Sequence, residues 1–238
     1  TMQAKQNVDL NVEEADFIAI VEKAGKFAIQ IFFYRNKQNY GGEVFYIKNQ
    51  KGENINEVLS SFIEQFYFNN DFLPAEIFIN VKITYKDLLV AAISKLAARK
   101  VNISRPKLGE KKKLVDMAAN NAAYAIEKHV NDAEQQELHL AKMQQIFALQ
   151  KIPQYIEIYD NSHISGEHAI GALVAFKAGE GFYKSGYRKF NINSTDIGDD
   201  YAMMYEVLDR RLAKLKQSKY KPDLLLIDGG KGQAEIVQ

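Results

Sequence analysis

The chain has 238 residues against about 150 for a typical domain, which favours two modest domains over one large one. Hydrophobic residues make up 47% of it, which excludes a disordered chain, and 14 glycines with 4 prolines exclude a collagen-like or Gly/Pro-rich one. Lys+Arg (31) and Asp+Glu (30) nearly cancel, so the net charge of +1 excludes whole-chain attraction to nucleic acid, and any such contact must come from local clusters.

In chain order, residues 1–14 are polar and read as a tail or linker. Residues 16–22 are apolar and β-leaning, and Lys23-Ala24-Gly25-Lys26 is a hairpin turn signal before a second strand over 27–34. Gly41-Gly42 marks a turn or bulge, and 44–48 is a third strand. The period then changes: Val58, Leu59, Phe62, Ile63 and Phe66 recur at helical spacing. A short strand over 76–79 follows Pro74. Thr84-x-x-Asp87 has the spacing of a capping box for a helix lined by Leu88, Leu89, Ala92, Ile93 and Leu96. Residues 101–104 form a last strand.

Residues 108–150 are rich in Ala, Gln, Glu and Lys and predict one long or broken helix ending before Pro153, with Asn120-Asn121 and Asn131-Asp132 as candidate interruptions. The strand pattern restarts over 155–160, 169–177 and 182–192, with a turn at 177–181. Ile197-Gly198-Asp199-Asp200 opens a helix with a stripe of Met204, Leu208, Leu212 and Leu215 and basic Arg210, Arg211, Lys214 and Lys216 at its end. Residues 223–228 form an apolar run expected to be a strand buried on both faces. The second half thus repeats the opening order of the first: three strands, helix, strand, helix start. That order is the one a ribonuclease H-like fold has. The expected class is α/β, with two such mixed-sheet domains (15–107 and 153–238) joined by a helical connector (108–152), the second incomplete at its C-terminus.

The sharpest chemical signal is Asp160 with Asp228. Each closes an apolar strand, and each is followed at once by a turn, Asn161-Ser162-His163 and Gly229-Gly230. In open α/β sheets ligands collect outside the carboxyl ends of strands. If the first and fourth strands lie parallel and adjacent, both carboxylates project at one edge and repel unless a divalent cation sits between them. Hard oxygen ligands select Mg²⁺ or Mn²⁺. Such an ion activates water and offsets charge in phosphodiester displacement. The competing reading is a pair of ordinary strand-end caps, and the residues alone leave both open.

Weaker signals surround the pair. His163 and His168 lie near Asp160 and read as turn or surface residues; Glu157 is expected to be exposed. Gly229-Gly230-Lys231-Gly232 lacks the G-x-x-x-x-G-K-[ST] spacing, so nucleotide hydrolysis is rejected, and Lys231 is a candidate phosphate contact. Tyr187-Arg188-Lys189-Phe190 fits nucleic-acid contact and plain strand packing equally. Lys95, Arg99, Lys100, Arg105, Lys107, Lys111, Lys112 and Lys113 form a basic cluster that is either a solvated face or a phosphate-contacting patch. There is no cysteine, hence no disulfide framework and no thiolate metal site, which fits a cytoplasmic setting. No apolar run approaches the roughly 18 residues of a membrane-spanning helix.

Four segments carry a resemblance: Tyr159-Asp160-Asn161-Ser162-His163-Ile164-Ser165-Gly166, Tyr187-Arg188-Lys189-Phe190-Asn191-Ile192, Gly198-Asp199-Asp200-Tyr201-Ala202-Met203 and Leu226-Ile227-Asp228-Gly229-Gly230-Lys231-Gly232-Gln233. In that order they resemble the UvrC family, the nuclease subunit of bacterial nucleotide excision repair. The likeness extends into the first half through Gln30-Ile31-Phe32-Phe33, Gln65-Phe66-Tyr67 and Leu96-Ala97-Ala98-Arg99-Lys100-Val101. It implies a ribonuclease H-like, metal-dependent endonuclease that cuts damaged duplex DNA 5′ of a lesion, in partnership with UvrB through a segment outside this chain. The family's two catalytic aspartates match Asp160 and Asp228. Its catalytic histidine lies downstream of Gln238, so an internal piece, inactive alone, is expected. Lys231, Arg188 and Lys189 become possible DNA contacts. The first half would then be a non-catalytic copy, with Asn80 standing where Asp228 stands and the counterpart of Asp160 near Glu22 or Lys23. A DNA- or partner-binding scaffold without chemistry is the alternative.

Overall fold

β1 (Glu14–Lys23) alternates side chains between two apolar layers, and its residues 15–20 are all buried. A computed structural model describes residues 12–48, 52–164, 168–192, 200–215, 218 and 220–228, with the side chains of 162–164, 168, 169 and 200 outside that set. Within it the chain divides into two units, Thr1–Asp132 and Ala133–Gln238.

In the first unit β1, β2 (Lys26–Arg35) and β3 (Gln38–Lys48) form an antiparallel meander, and β4 (Glu76–Ile79) and β5 (Asn102–Ser104) add in parallel beyond β1. The order is β3-β2-β1-β4-β5. Helices α1 (Ile55–Phe68) and α2 (Lys86–Leu96) cover one face, where Leu59, Ile63 and Ile93 meet Ile18, Ile20 and Ile29 of the sheet. The first part of α3 (Gly109–Ile146) covers the other. Leu114 and Val115 pack with Phe17, Tyr34 and Phe78, and Ala122, Ile126 and Val130 pack with Ala28.

The second unit has the same start. β6 (Tyr155–Ile164) and β7 (His168–Lys177) form a long hairpin, β8 (Gly181–Phe182) and β9 (Arg188–Asn191) pair with β7, and β10 (Leu224–Ile227) lies parallel to β6 on its far side. Helix α4 (Asp200–Leu215) crosses from the β9 side to the β10 side over one face, where Met204, Val207 and Leu208 meet Tyr155, Tyr159, Leu173 and Phe190.

Several expectations are corrected. The second hairpin turns at Asn36 and Lys37, both left-handed (φ 50° and 62°), so β3 begins at Gln38 and not at Val44. Of the turn or bulge expected at Gly41-Gly42, it is the bulge that forms: the pair sits inside β3 beside a register shift opposite Phe32 and Tyr34, and a Cβ on Gly42 would lie 2.2 Å from the Ile31 carbonyl oxygen. The Thr84/Asp87 box does not form: α2 starts behind a left-handed Tyr85 without a side-chain cap, and the Thr84 N–H donates to Ser60 Oγ. The capping box belongs to α1, where Asn54 Oδ1 accepts from the Asn56 and Glu57 N–H groups and Glu57 accepts from the Asn54 N–H. Of the long or broken helix expected over 108–150 the long one forms, since α3 runs unbroken through both asparagine pairs. The expected strand over 182–192 is split by a 3-10 turn at Lys184–Gly186. Leu212 is exposed, because the buried α4 stripe is Met203, Met204, Val207 and Leu208. β10 is half-buried along its length and not sealed on both faces.

Candidate active site at the carboxyl edge of the second sheet

A parallel pair of strands carries its residues in step. Leu224, Leu225, Leu226 and Ile227 of β10 stand opposite Ile156, Glu157, Ile158 and Tyr159 of β6. The ladder continues one step further, since the Asp228 N–H donates to the Tyr159 carbonyl oxygen at 2.9 Å. The next position on β6 is Asp160. Neighbouring strands lie about 4.7–4.9 Å apart, so the two aspartates are side-by-side neighbours.

Alternation fixes their direction. Tyr155, Tyr159, Leu225 and Ile227 point into the α4 layer, so Asp160 and Asp228 stand on the opposite face, and both are exposed. Asp160 also faces Ala172 on β7, and Ala172 faces Lys189 on β9. One transverse row across the sheet therefore reads Asp228, Asp160, Ala172, Lys189: two adjacent carboxylates, a methyl spacer and an exposed ammonium.

The other candidates fall elsewhere. Arg188 is one residue out of that row, on the α4 face with Leu173, and its Nη1 donates to the carbonyls of Ser185 and Tyr187. Lys231 and the side chains of His163 and His168 lie outside the described residues. In the basic cluster, Arg99 pairs with Glu14, Lys112 with Asp116 and Lys113 with Glu110, while Lys111 lies over the Phe78 ring at 4.6 Å. Half of that cluster is thus engaged within its own unit.

Glu157 is the clear miss of sequence reasoning. Expected on the surface, it is 1% exposed, because it shares the α4-facing side with Tyr155 and Tyr159. Arg211 Nε donates to its Oε1 and Oε2 at 3.2 and 3.1 Å, and the Tyr159 hydroxyl donates to Oε2 at 2.5 Å. Burial first, then the Glu157 carboxylate, pushes the Tyr159 phenol well above its ordinary value. The hydrogen bond to Glu157 likewise raises Arg211. A glutamate on the inward side of an apolar strand, with an arginine on the following helix, was the available signal.

The first unit has the same topology and can be compared position by position. Tyr155 corresponds to Glu14, the first residue of each hairpin, so Asp160 corresponds to Ala19 and not to Glu22 or Lys23. Asn80 follows β4 as Asp228 follows β10. Its amide is turned onto the strand: Oδ1 accepts from the Ile20 N–H at 3.0 Å and Nδ2 donates to the Ile20 carbonyl at 2.8 Å. The matching row reads Asn80, Ala19, Gln30, Val44. It has no charge, and Ala19 is fully buried on the face that α3 covers.

Among the described residues no group of three or more His, Cys, Asp or Glu side chains is placed to hold a metal ion. The donor set of the second unit nevertheless fits a hard divalent cation, since two exposed carboxylates on adjacent strands offer oxygen ligands only. The first unit's row offers no anionic donor and does not fit one. No helix of the described residues is long and apolar enough to cross a membrane.

Residues 14–129 match the family described as UvrC Ribonuclease H-like domain, and residues 144–238 the family described as UvrC RNAse H endonuclease domain. The chain is 41% identical over its whole length to the UvrABC system protein C of Zymomonas mobilis, of which it covers 37%. It is 42% identical over 95% of its length to that of Maricaulis maris and 39% identical over 98% to that of Paramagnetospirillum magneticum, covering 36% and 38% of those proteins. The chain thus spans a little over a third of the length of these curated relatives. With its two sheets each falling within one of the two ribonuclease H-like matches, the chain belongs to the UvrC family.

Proposed function

We propose that the second unit is the metal-dependent endonuclease domain of a nucleotide excision repair subunit, incising damaged duplex DNA on the 5′ side of the lesion. The observation that carries this reading is the alignment of Asp160 and Asp228 on adjacent parallel strands at one exposed sheet edge, in a region matching a family of endonuclease domains. The two carboxylates hold the ion, Mg²⁺ or Mn²⁺. When bound, that ion supplies activation of water and neutralisation of charge developing on the phosphodiester. Lys189, on the same face and beyond the Ala172 spacer, contacts a phosphate of the bound strand, while Lys231 and Arg188 are secondary DNA contacts. The first unit, with its neutral and covered row, serves as a non-catalytic scaffold over 15–107, with 108–152 as the connector to the nuclease unit over 153–238. DNA and UvrB are the partners of the whole subunit.

The test is D160N and D228N, separately, in the full-length protein with a lesion-bearing duplex. Both side chains are exposed, so folding and DNA binding should be retained while the 5′ cut is lost. Chelation should suppress the wild-type cut, and Mn²⁺ should restore it. Unchanged cutting by either variant would reject the nuclease reading and favour a scaffold that does no chemistry.

A further inference from the structure

We propose that the buried Glu157–Arg211 pair is a positioning device: it sets the register of β10 on β6 and so brings Asp228 beside Asp160. The consequence for chemistry rests on the nuclease reading; the register itself does not.

Glu157 cannot be a third metal ligand, because it points to the opposite face of β6 from Asp160. Its carboxylate is 1% and the Arg211 side chain 13% exposed. A buried ion pair adds little net stability over an apolar pair of the same shape, but breaking it is costly, so it penalises misplacement. Here one guanidinium joins three segments. Nε and Nη2 grip Glu157 on β6, the side chain grows from α4, and Nη1 donates at 2.6 Å to Ser218 Oγ in the connection leading to β10. Ser218 Oγ in turn donates to the Lys214 carbonyl. At the far end of that connection Asp223 Oδ2 accepts from the N–H groups of Gln154 and Tyr155 at 2.8 and 3.0 Å. The segment feeding β10 is therefore fixed at Ser218 and at Asp223, both relative to β6. A slip of one residue would turn Asp228 to the α4 face, since side chains alternate with period two.

The first unit has a related clasp with its parts exchanged: the arginine comes from the neighbouring strand β2 and the helix contributes a tyrosine. Asp16 occupies the position of Glu157, also 1% exposed and on the helix-covered face. Arg35 Nη1 donates to its Oδ1 at 2.6 Å, and Tyr67, near the end of the crossover helix α1, donates to its Oδ2 at 2.7 Å. This clasp exists in a unit whose row holds Ala19 and Asn80, so its work is to seat the crossover and not to hold an ion. In the second unit the same seating delivers a carboxylate.

The experiment uses the full-length protein with E157L/R211M, which replaces the pair by apolar side chains, and R211K, which keeps charge but loses the guanidinium fork. Backbone hydrogen exchange is read at Asp228 and at the β6–β7 amides, alongside Mn²⁺ titration and 5′ incision. Protection at Asp228 should fall while the β6–β7 amides stay protected. Mn²⁺ affinity should drop about 10–100-fold, the scale for losing an orienting partner. Incision should lose kcat with KM for DNA unchanged. Wild-type protection at Asp228 would overturn the proposal, as would loss of all amides together, or intact Mn²⁺ affinity despite lost Asp228 protection. If the wild-type protein itself bound no Mn²⁺ through Asp160 and Asp228, the nuclease reading would fail, and Asp228 protection would still decide the register.

Discussion

Asp223 is the residue on which the start of β10 depends. Burial works against its carboxylate, but the Lys151 ammonium and the N–H groups of Gln154 and Tyr155 outweigh that and hold it below the ordinary aspartate value. Its proton is thus bound more weakly in the folded than in the unfolded chain. The stability it contributes is complete above the unfolded value and is lost as pH falls through the lower folded one. Asp223→Asn should therefore flatten the acid side of the unfolding profile below about pH 4 and lower stability at neutral pH, as read by urea midpoints across that range. Asp160 and Asp228 were legible in the sequence because each ends an apolar run just before a turn. Asp223 and Glu157 were not, because their roles depend on Gln154, Tyr155 and Arg211, which reach them only when distant segments meet.

At the scale of elements, the seat of α4 is a glycine. A Cβ on Gly171 would lie 2.4 Å from Val207 Cγ2 and 3.2 Å from Asn161 Oδ1, so β7 admits α4 at this depth only without a side chain. Gly171→Ala should destabilise the second unit by about 1–3 kcal/mol, the cost of overpacking a filled core. Adding Val207→Ala should recover part of that loss in a double-mutant cycle; simple additivity would mean that the contact is not the cause. Strand and helix identities were readable from period: residues 76–79 and the long helix both follow the expected bounds closely. The turn at Asn36 and Lys37 was hidden, since only the observed left-handed backbone distinguishes that pair from an ordinary polar dipeptide, whereas Gly41-Gly42, read as a turn or bulge, marks the register shift inside β3.

At the scale of the molecule, one topology is used twice with different outcomes. In the first unit α3 covers the face that corresponds to the exposed edge of Asp160, and the row there is neutral. Restoring the acids should not restore a site. Ala19→Asp with Asn80→Asp would bury an unpaired charge under α3 and remove the amide that bonds both polar groups of Ile20. We expect a loss of about 3–5 kcal/mol in urea unfolding, with no gain of Mn²⁺ binding. Stoichiometric Mn²⁺ uptake attributable to the first unit would contradict this.

The sequence by itself determined the elements, their repeated order and the two aspartates at strand ends, because hydrophobic period and turn residues are local properties of the chain. Only the tertiary structure decided which strands lie side by side, that Ala19 and not Glu22 stands where Asp160 stands, that Glu157 is buried, and that Lys189 and not Arg188 shares the aspartates' face. Each of these turns on register between strands far apart in sequence, and a displacement of one residue reverses the direction of every side chain involved.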